Sequence, residues 1–459
     1  MMRQQDTICA LSTASAEAAI AVVRLSGENA HDVMRQVFVP ANPERFADAE
    51  AYRVYYGSVM ENEDETLDDV LVSVFKAPHS YTGEDMVEIS CHGSLYIQQR
   101  LLELLCDNGA RLANPGEFTE RAFLNGKMEL SQAEAVADVI ASDNKASHQI
   151  AIRQMKEGYG GAIKRLREHL LKLVSLMELE LDFSEEDVEF ADRDELRGLL
   201  DDIIARISGL LDSFRYGNVI KHGMPVVIAG KPNVGKSTLL NTLLNEDRAI
   251  VSEIPGTTRD SLEDDMVIDG IRFRFIDTAG LHHATDEIEV KGIARTRQKL
   301  EKAGMVLIMA EAADSGEAIK ALCDEVKKSL VNSDAALFLL LNKNDVQAAG
   351  TGYNVDMPVF RISAITGQGI ENLTKAMVAK VRNMGSDTDV VVSNARHAAA
   401  LREALDAADR AGEAMNSGIP GDLVSQDLRE VLHHLGSITG EITTDEVLGH
   451  IFEHFCIGK

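Results

Sequence analysis

In the first ~120 residues short apolar runs alternate with turns, the pattern expected of strands bounded by turn residues. Residues 19–25, closed by Gly27, together with 69–75 and 86–90, are predicted as strands, and 94–108 as a helix. This part reads as α+β. From 131 to 214 the period changes. Ile163, Leu166, Leu170, Leu173, Met177 and Leu181 recur at steps of three and four, as do Leu196, Leu199, Ile203, Ile207, Leu210 and Phe214. The acidic run 182–189 between them lacks the mid-loop glycine of a calcium loop and is read as a solvated loop. From 224 to about 380, each apolar strand run is followed by a loop and a helical pattern, the mark of a parallel α/β sheet. Helical patterns return at 395–415, 423–434 and 445–454. Two helical blocks around an α/β unit predict a helical domain with the α/β unit inserted into it, an arrangement that needs the insert's ends to lie close together. The expected division is 1–125, 126–222, 223–384 and 385–459.

The chemistry concentrates in the inserted unit. The apolar strand Val226-Val227-Ile228-Ala229 runs into Gly230-Lys231-Pro232-Asn233-Val234-Gly235-Lys236-Ser237 and then into the helical Thr238-Leu239-Leu240-Asn241. This is G-x-x-x-x-G-K-S between a strand and a helix. Its glycines let backbone N–H groups curl around phosphate oxygens, and the helix N-terminus adds favourable partial charge. Lys236 is expected on the β- and γ-phosphates and Ser237 on Mg²⁺.

Three later strings sit at predicted strand ends. Asp277-Thr278-Ala279-Gly280 follows the alternating run 271–276; its aspartate can hold Mg²⁺ through water and the Gly280 N–H can meet the γ-phosphate. Asn342-Lys343-Asn344-Asp345 follows the buried run 335–341. Asp345 offers two carboxylate oxygens to the N1–H and 2-amino donors of guanine, donors that adenine lacks. Ser363-Ala364 suits a backbone contact to guanine O6. Four such motifs in order predict a GTP-binding domain. The position after Asp277-Thr278-Ala279-Gly280, where Ras-like GTPases carry a water-orienting glutamine, is Leu281, so hydrolysis needs another device. Asn233 and the loop 252–260 suggest a monovalent cation beside the phosphates, with Arg259 the rival as an arginine finger.

Composition narrows the partners. Among 459 residues, 74 are acidic and 46 basic, giving a formal net charge of −28. Passive adhesion to nucleic acid or anionic lipid is therefore disfavoured, and RNA contact requires a local basic surface, a partner or a metal ion. No run of 18 apolar residues and no cationic leader followed by an apolar core occurs, so neither a membrane span nor a signal peptide is expected. Five cysteines, at 9, 91, 106, 323 and 456, are sparse and odd in number, which suits reduced thiols in the cytoplasm.

At this point the chain resembles the MnmE/TrmE family of tRNA uridine-modification GTPases. The resemblance runs from about residue 6 to the end. It rests on Ser80-Tyr81-Thr82-Gly83-Glu84-Asp85, on 115–127 (P-G-E-F-T-E-R-A-F-L-N-G-K), on Gly256-Thr257-Thr258-Arg259-Asp260 and on the terminal Phe455-Cys456-Ile457-Gly458-Lys459. It implies a folate-binding N-terminal domain that dimerises, a discontinuous all-α helical domain and an inserted P-loop GTPase domain. It implies a homodimer that forms a heterotetramer with an FAD-dependent partner, MnmG or GidA. A reduced folate, 5-formyl- or methylene-tetrahydrofolate, would supply one carbon for an aminomethyl-type group at C5 of the wobble uridine of certain tRNAs. tRNA itself would be met largely through the partner.

Carried over by motif, GTP would be held by Asn233, Val234, Gly235, Lys236, Ser237, Thr238, Ser252, Thr257, Thr258, Asp277, Thr278, Ala279, Gly280, Asn342, Lys343, Asp345, Ser363 and Ala364. K⁺ would be held by Asn233, Ser252, Ile254 and Thr257, and Mg²⁺ by Ser237 and Thr258. Glu289 matches the family's water-orienting glutamate; by residue type alone it is an exposed carboxylate at a helix start. Folate would meet Arg24, Glu88, Lys127 and Lys459, each of which by residue type alone is an ordinary strand or surface charge. The tail would return to the N-terminal domain across the dimer. Residues 15–19 lack the glycine-rich run often seen before that first arginine strand. Cys456 is a thiolate nucleophile, a metal ligand near His450 and His454, or a positioning residue. Two other classes compete: a ribosome-assembly GTPase, which lacks the N-terminal domain and the tail, and a folate-responsive regulatory GTPase.

Overall fold

A computed structural model describes residues 6–458 except 48, 159, 183–192, 247–262, 277–299, 301–302, 331–333, 348–354, 386–389 and 418. Two compact units emerge. The first comprises 1–141, 151–168 and 432–459; the second comprises 142–150 and 169–431.

The first unit is organised by a seven-stranded sheet. Its strands are β1 (Thr7–Leu11), β2 (Ala18–Ser26), β3 (Phe38–Pro40), β4 (Arg53–Met60), β5 (Thr66–Phe75), β6 (Met86–Gly93) and β7 (Ala110–Leu112), in the spatial order β3-β4-β5-β6-β2-β1-β7. All neighbours are antiparallel except β1 and β7. Alternation sorts the side chains by face. Val23, Tyr55, Val72 and Ile89 are buried in one core with Leu101, Leu104 and Leu105 of helix Leu95–Asp107. The opposite face carries Tyr56, paired in register with Leu71, which pairs with Ser90. There Ile20, Val54, Tyr56 and Leu71 are 47–62% exposed. The expected strands 19–25, 69–75 and 86–90 are present but longer. Strands β1, β3, β4 and β7 had no expectation; β3 and β7 have only three residues each, too few to display a period.

Helices Leu130–Ala141 and Asp445–Phe452 bury Leu130, Ala133, Leu448 and Phe452 against one another in the same unit. The C-terminal tail then reaches the sheet of its own chain. Gly116 N–H donates to the Cys456 carbonyl at 3.4 Å, and Ser12 Oγ to the Gly458 carbonyl at 3.2 Å. This corrects the expectation that the tail crosses to another subunit. Gly458 has φ +91°, and a Cβ there would lie 2.2 Å from the Leu11 carbonyl oxygen, so only glycine lets the tail approach β1 this closely.

The second unit holds the six-stranded sheet. Its members are β8 (Met224–Gly230), β9 (Glu263–Ile268), β10 (Ile271–Ile276), β11 (Met305–Glu311), β12 (Ala336–Asn342) and β13 (Val359–Arg361), in the order β13-β12-β11-β8-β10-β9. Every pairing is parallel except β9 with β10. Long helices Arg193–His222 and Ala395–Asn416 pack together as the chain enters and leaves this sheet. There Ser213 Oγ accepts from Val392 N–H at 3.0 Å, and Gly217 leaves room for the Val392 carbonyl, 2.1 Å from where a Cβ would be. A third connection is non-covalent. The β9–β10 turn receives a hydrogen bond from Ala146 N–H to the Gly270 carbonyl (3.2 Å), and Arg272 Nη1 donates to Asp143 Oδ2 (2.6 Å). Ala146 and Ile150 pack on the core beneath the sheet. The acidic run beginning at 183 lies outside the described residues.

Candidate nucleotide and cofactor sites

The glycine loop lies between β8 and helix Lys236–Glu246, as its sequence demands. Gly230 and Gly235 have φ +159° and +100°, and Asn233 adopts +59°, a left-handed conformation that asparagine tolerates better than most residues. A Cβ on Gly230 would lie 2.4 Å from the Met309 carbonyl oxygen, and one on Gly235 2.4 Å from Asn342 Nδ2. Both glycines are therefore required by contact as well as by φ. Lys236 Nζ folds over the loop and donates to the carbonyls of Gly230 (2.7 Å) and Lys231 (2.9 Å). Val234 is buried, anchoring the loop, while Asn233 is exposed. Ser237 and Thr238 lie in the first turn of the helix, whose N-terminal end carries favourable partial positive charge.

Asn342 ties the phosphate loop to the base-recognition loops. Buried at the end of β12, it donates from Nδ2 to the Val234 carbonyl (2.8 Å) and accepts at Oδ1 from Ala364 N–H (2.9 Å). Thr242 Oγ1 donates to the Ala364 carbonyl at 2.6 Å, closing a second link from the helix to that loop. Ser363 is fully buried and its N–H donates to Gln368 O at 2.9 Å. Lys343, with φ +61°, pairs with Glu311. Asp345 is exposed just beyond. The structure thus brings together 230–238, 342–345 and 363–364. The remaining sequence candidates, Ser252, Ile254, Thr257, Thr258, Asp277, Thr278, Ala279, Gly280 and Glu289, lie outside the described residues. The described strands β9 and β10 lead from the first of those segments and into the second.

The other candidate site is in the first unit. Arg24 and Glu88 face each other in register on β2 and β6. Arg24 Nη2 and Nε donate to Glu88 Oε1 at 2.7 and 3.0 Å, and Nη1 donates to the Gly458 carbonyl at 3.2 Å. The guanidinium carbon lies 5.5 Å from the Tyr81 ring centroid and 5.7 Å from that of Phe118, within cation–π range of both. Tyr81 Oη and Thr119 Oγ1 are 2.9 Å apart, and burial pushes the Tyr81 hydroxyl's pKa up. Both Arg24 bonds land on Oε1, so Glu88 Oε2 has no protein partner among the described residues. Lys127 does not join this pair; its Nζ donates to the Pro78 carbonyl at 2.8 Å, on the loop that leads to Tyr81. Lys459 lies outside the described residues, and Cys456 is exposed.

Beneath this site runs an ion network that sequence reading missed. Arg121 donates to Asp6 Oδ1 (2.8 Å), Glu117 Oε1 (2.9 Å) and Glu84 Oε2 (3.2 Å). Arg111 donates to Glu117 Oε2 at 2.8 Å, and Ser26 Oγ to Glu84 Oε2 at 2.8 Å. Burial raises the proton affinity of Glu117, but Arg111, the Asn114 N–H and Arg121 outweigh it and hold the carboxyl below its usual range. Glu84, Glu117, Phe118, Thr119 and Arg121 all fall in the strings 80–85 and 115–127. Their density there was the only available signal.

The sheet order, with the glycine loop after the central strand and Asn342-Lys343-Asn344-Asp345 at the end of β12, defines a P-loop GTPase domain. A model described as the MnmE helical domain matches residues 130–456, and one described as the GTP-binding protein TrmE N-terminus matches 7–127. Proteins named tRNA modification GTPase MnmE align over nearly their whole length. That of Parabacteroides distasonis is 48% identical over 99% of this chain and 100% of its own. Those of Cytophaga hutchinsonii and Bacteroides fragilis are each 49% identical over 99% of this chain, and over 98% and 100% of their own. The chain belongs to the MnmE family. A solved G domain of the Thermotoga maritima FeoB iron transporter also matches 35% of this chain at 25% identity, with a TM-score of 0.26 that carries no weight here.

Proposed function

We propose that this chain is a K⁺-stimulated GTPase. With an FAD-dependent partner, it uses a one-carbon folate to add an aminomethyl or carboxymethylaminomethyl group at C5 of the wobble uridine of certain tRNAs. The observation that carries the proposal is the coexistence, in one family member, of the phosphate loop and the Arg24–Glu88–Gly458 constellation, the latter completed by the chain's own C-terminal tail. The domain division proposed with it is 1–125 for folate binding and dimerisation, 126–222 and 385–459 for the helical part, and 223–384 for the GTPase.

Lys236 would neutralise the β- and γ-phosphates, and Ser237 with Thr258 would hold Mg²⁺. The donor set suits a hard cation, since hydroxyls stand beside phosphate oxygens. Asn233, Ser252, Ile254 and Thr257 would hold K⁺, which supplies fixed positive charge at the transferred phosphate. Asn233 fits that role because it is exposed at the loop's left-handed position. Glu289 would orient the attacking water. In the first unit, Glu88 Oε2 suits the paired N–H donors of a pterin edge, while Arg24 is held by its aromatic contacts. Lys127 and Lys459 would meet the folate carboxylates. Cys456 stays with the tail as a positioning or reacting thiol. The exposed apolar residues Ile20, Val54, Tyr56 and Leu71 support a homodimer through that sheet face. Among the described residues no helix is long and apolar enough to cross a membrane.

Removal of residues 456–459 separates the two chemistries. GTP hydrolysis is expected to persist, faster in K⁺ than in Na⁺, while wobble-uridine modification disappears from tRNA nucleosides by mass spectrometry. Retained modification overturns the tail's role. Equal hydrolysis in both salts, together with loss of turnover in Arg259→Ala, favours an arginine finger over K⁺.

A further inference from the structure

Two thiols outside both sites stand side by side. Cys9, on β1, is fully buried, and its Sγ lies 3.8 Å from that of Cys106, half-buried near the end of helix Leu95–Asp107. They are 97 positions apart in the chain. Closure to a disulfide needs a sulfur–sulfur approach to about 2.05 Å, a movement of less than ~2 Å that side-chain rotation can contribute to. The other described thiols have different surroundings. Cys91 Sγ donates to the Ala21 carbonyl at 3.6 Å, Cys323 is buried in the other unit, and Cys456 is exposed.

We propose that Cys9 and Cys106 form a redox-modification site that takes a hydroperoxide as its oxidant. The half-exposed Cys106 reacts first. Its sulfur attacks the distal peroxide oxygen, the O–O bond breaks, and Cys106 becomes a sulfenic acid while the hydroperoxide leaves as an alcohol, or as water from hydrogen peroxide. The Cys9 sulfur then attacks the sulfenic sulfur; the S–S bond forms and the S–O bond breaks. The Cys9 proton leaves with the hydroxyl as a second water. Two thiols have lost two electrons and the peroxide has gained them. Burial, followed by the neighbouring Cys106, raises the proton affinity of Cys9, which suits it to this second role and not to first attack.

The consequence for the fold follows from β1 itself. Cys9 faces the core that contains Leu101, Leu104 and Leu105, whereas Ile8 and Ala10 face the cluster with Phe118, beneath Arg24. A bond from Cys9 to the helix therefore fixes, from behind, the strand that supports the Arg24 site.

The full chain treated with hydrogen peroxide is expected to lose about 2 Da, reversibly with dithiothreitol, and to yield one cross-linked peptide joining Cys9 to Cys106. Melting of the first unit rises by several degrees because the link closes a long loop, and amide exchange across Thr7–Leu11 slows. Cys106→Ser abolishes all of these. Peptide mapping of the unsubstituted protein needs no variant to fold. Oxidation confined to Cys456, or a Cys9–Cys106 link found only after denaturation, overturns the proposal.

Discussion

At the phosphate loop the ligand-facing groups sit on consecutive residues, 230–238, whereas the Arg24 constellation gathers residues 12, 24, 81, 88, 118 and 458. The first works by backbone shape: two glycines with positive φ, a left-handed asparagine, and a helix start. The second works by side-chain charge, with Arg24 on Glu88 and, below it, Arg111 and Arg121 among Asp6, Glu84 and Glu117. A site built on backbone shape is most sensitive to strain, and one built on paired charges to the loss of a partner.

The sharpest test of that contrast is Arg121→Met. Arg121 and Glu117 expose only 8% and 7% of their side chains, so removing the cation leaves Glu117 with Arg111 alone and Glu84 without its ion pair. A loss of roughly 3–5 kcal/mol is expected in the first unit, read by calorimetry, with GTP binding by the second unit unchanged below the melting range. Unchanged melting would show that the network is dispensable.

Gly235→Ala probes the other side. The added methyl meets Asn342 Nδ2 in a conformation that L-residues rarely adopt. GTP binding should weaken by about 100-fold or more in a fluorescent-nucleotide titration, while melting of the first unit stays put. Asn342→Ala leaves the Val234 carbonyl and the Ala364 N–H without their side-chain partner. About 2 kcal/mol of second-unit stability should go, as urea unfolding would show. An intact second unit would mean that the two loops are held independently.

The smallest effect is in acid. Glu117 has a lowered pKa in the fold, so its contribution is fully present above the ordinary carboxylate range and is lost as pH falls through the lowered value. Glu117→Gln should therefore flatten the acid limb of first-unit stability measured from pH 7 to about 3, and leave the second unit's pH profile alone. An unaltered acid limb would assign the pH dependence elsewhere.

This contrast also explains what could be read from the chain beforehand. The strand before the phosphate loop, the loop itself and the helix after it are contiguous, so one string of residues carries the whole geometry. Helical stretches such as Ala395–Asn416 were equally legible, because their period repeats over many turns. Arg24 and Glu88 entered only through family resemblance. Nothing local to either residue announces that antiparallel pairing puts them opposite one another, or that Tyr81 and Phe118 flank the guanidinium. The Gly458 carbonyl was invisible for the same reason: its partner is 434 positions away and its chemistry belongs to every residue. Strands β3 and β7 are defined by their neighbours, not by their own composition.

The β9–β10 turn has a mechanical consequence. Two of the connections between the α/β sheet and the helices around it are peptide chain and cannot open. Another, at the β9–β10 turn, includes one backbone hydrogen bond, the Arg272–Asp143 ion pair and the partial burial of Ala146 and Ile150. An ion pair with 28% and 48% exposed side chains contributes little, and the whole latch is worth on the order of 2–4 kcal/mol. A latch so weak is within reach of the binding energy of a single nucleotide, and it holds the hairpin whose two strands run directly to the segments 247–262 and 277–299.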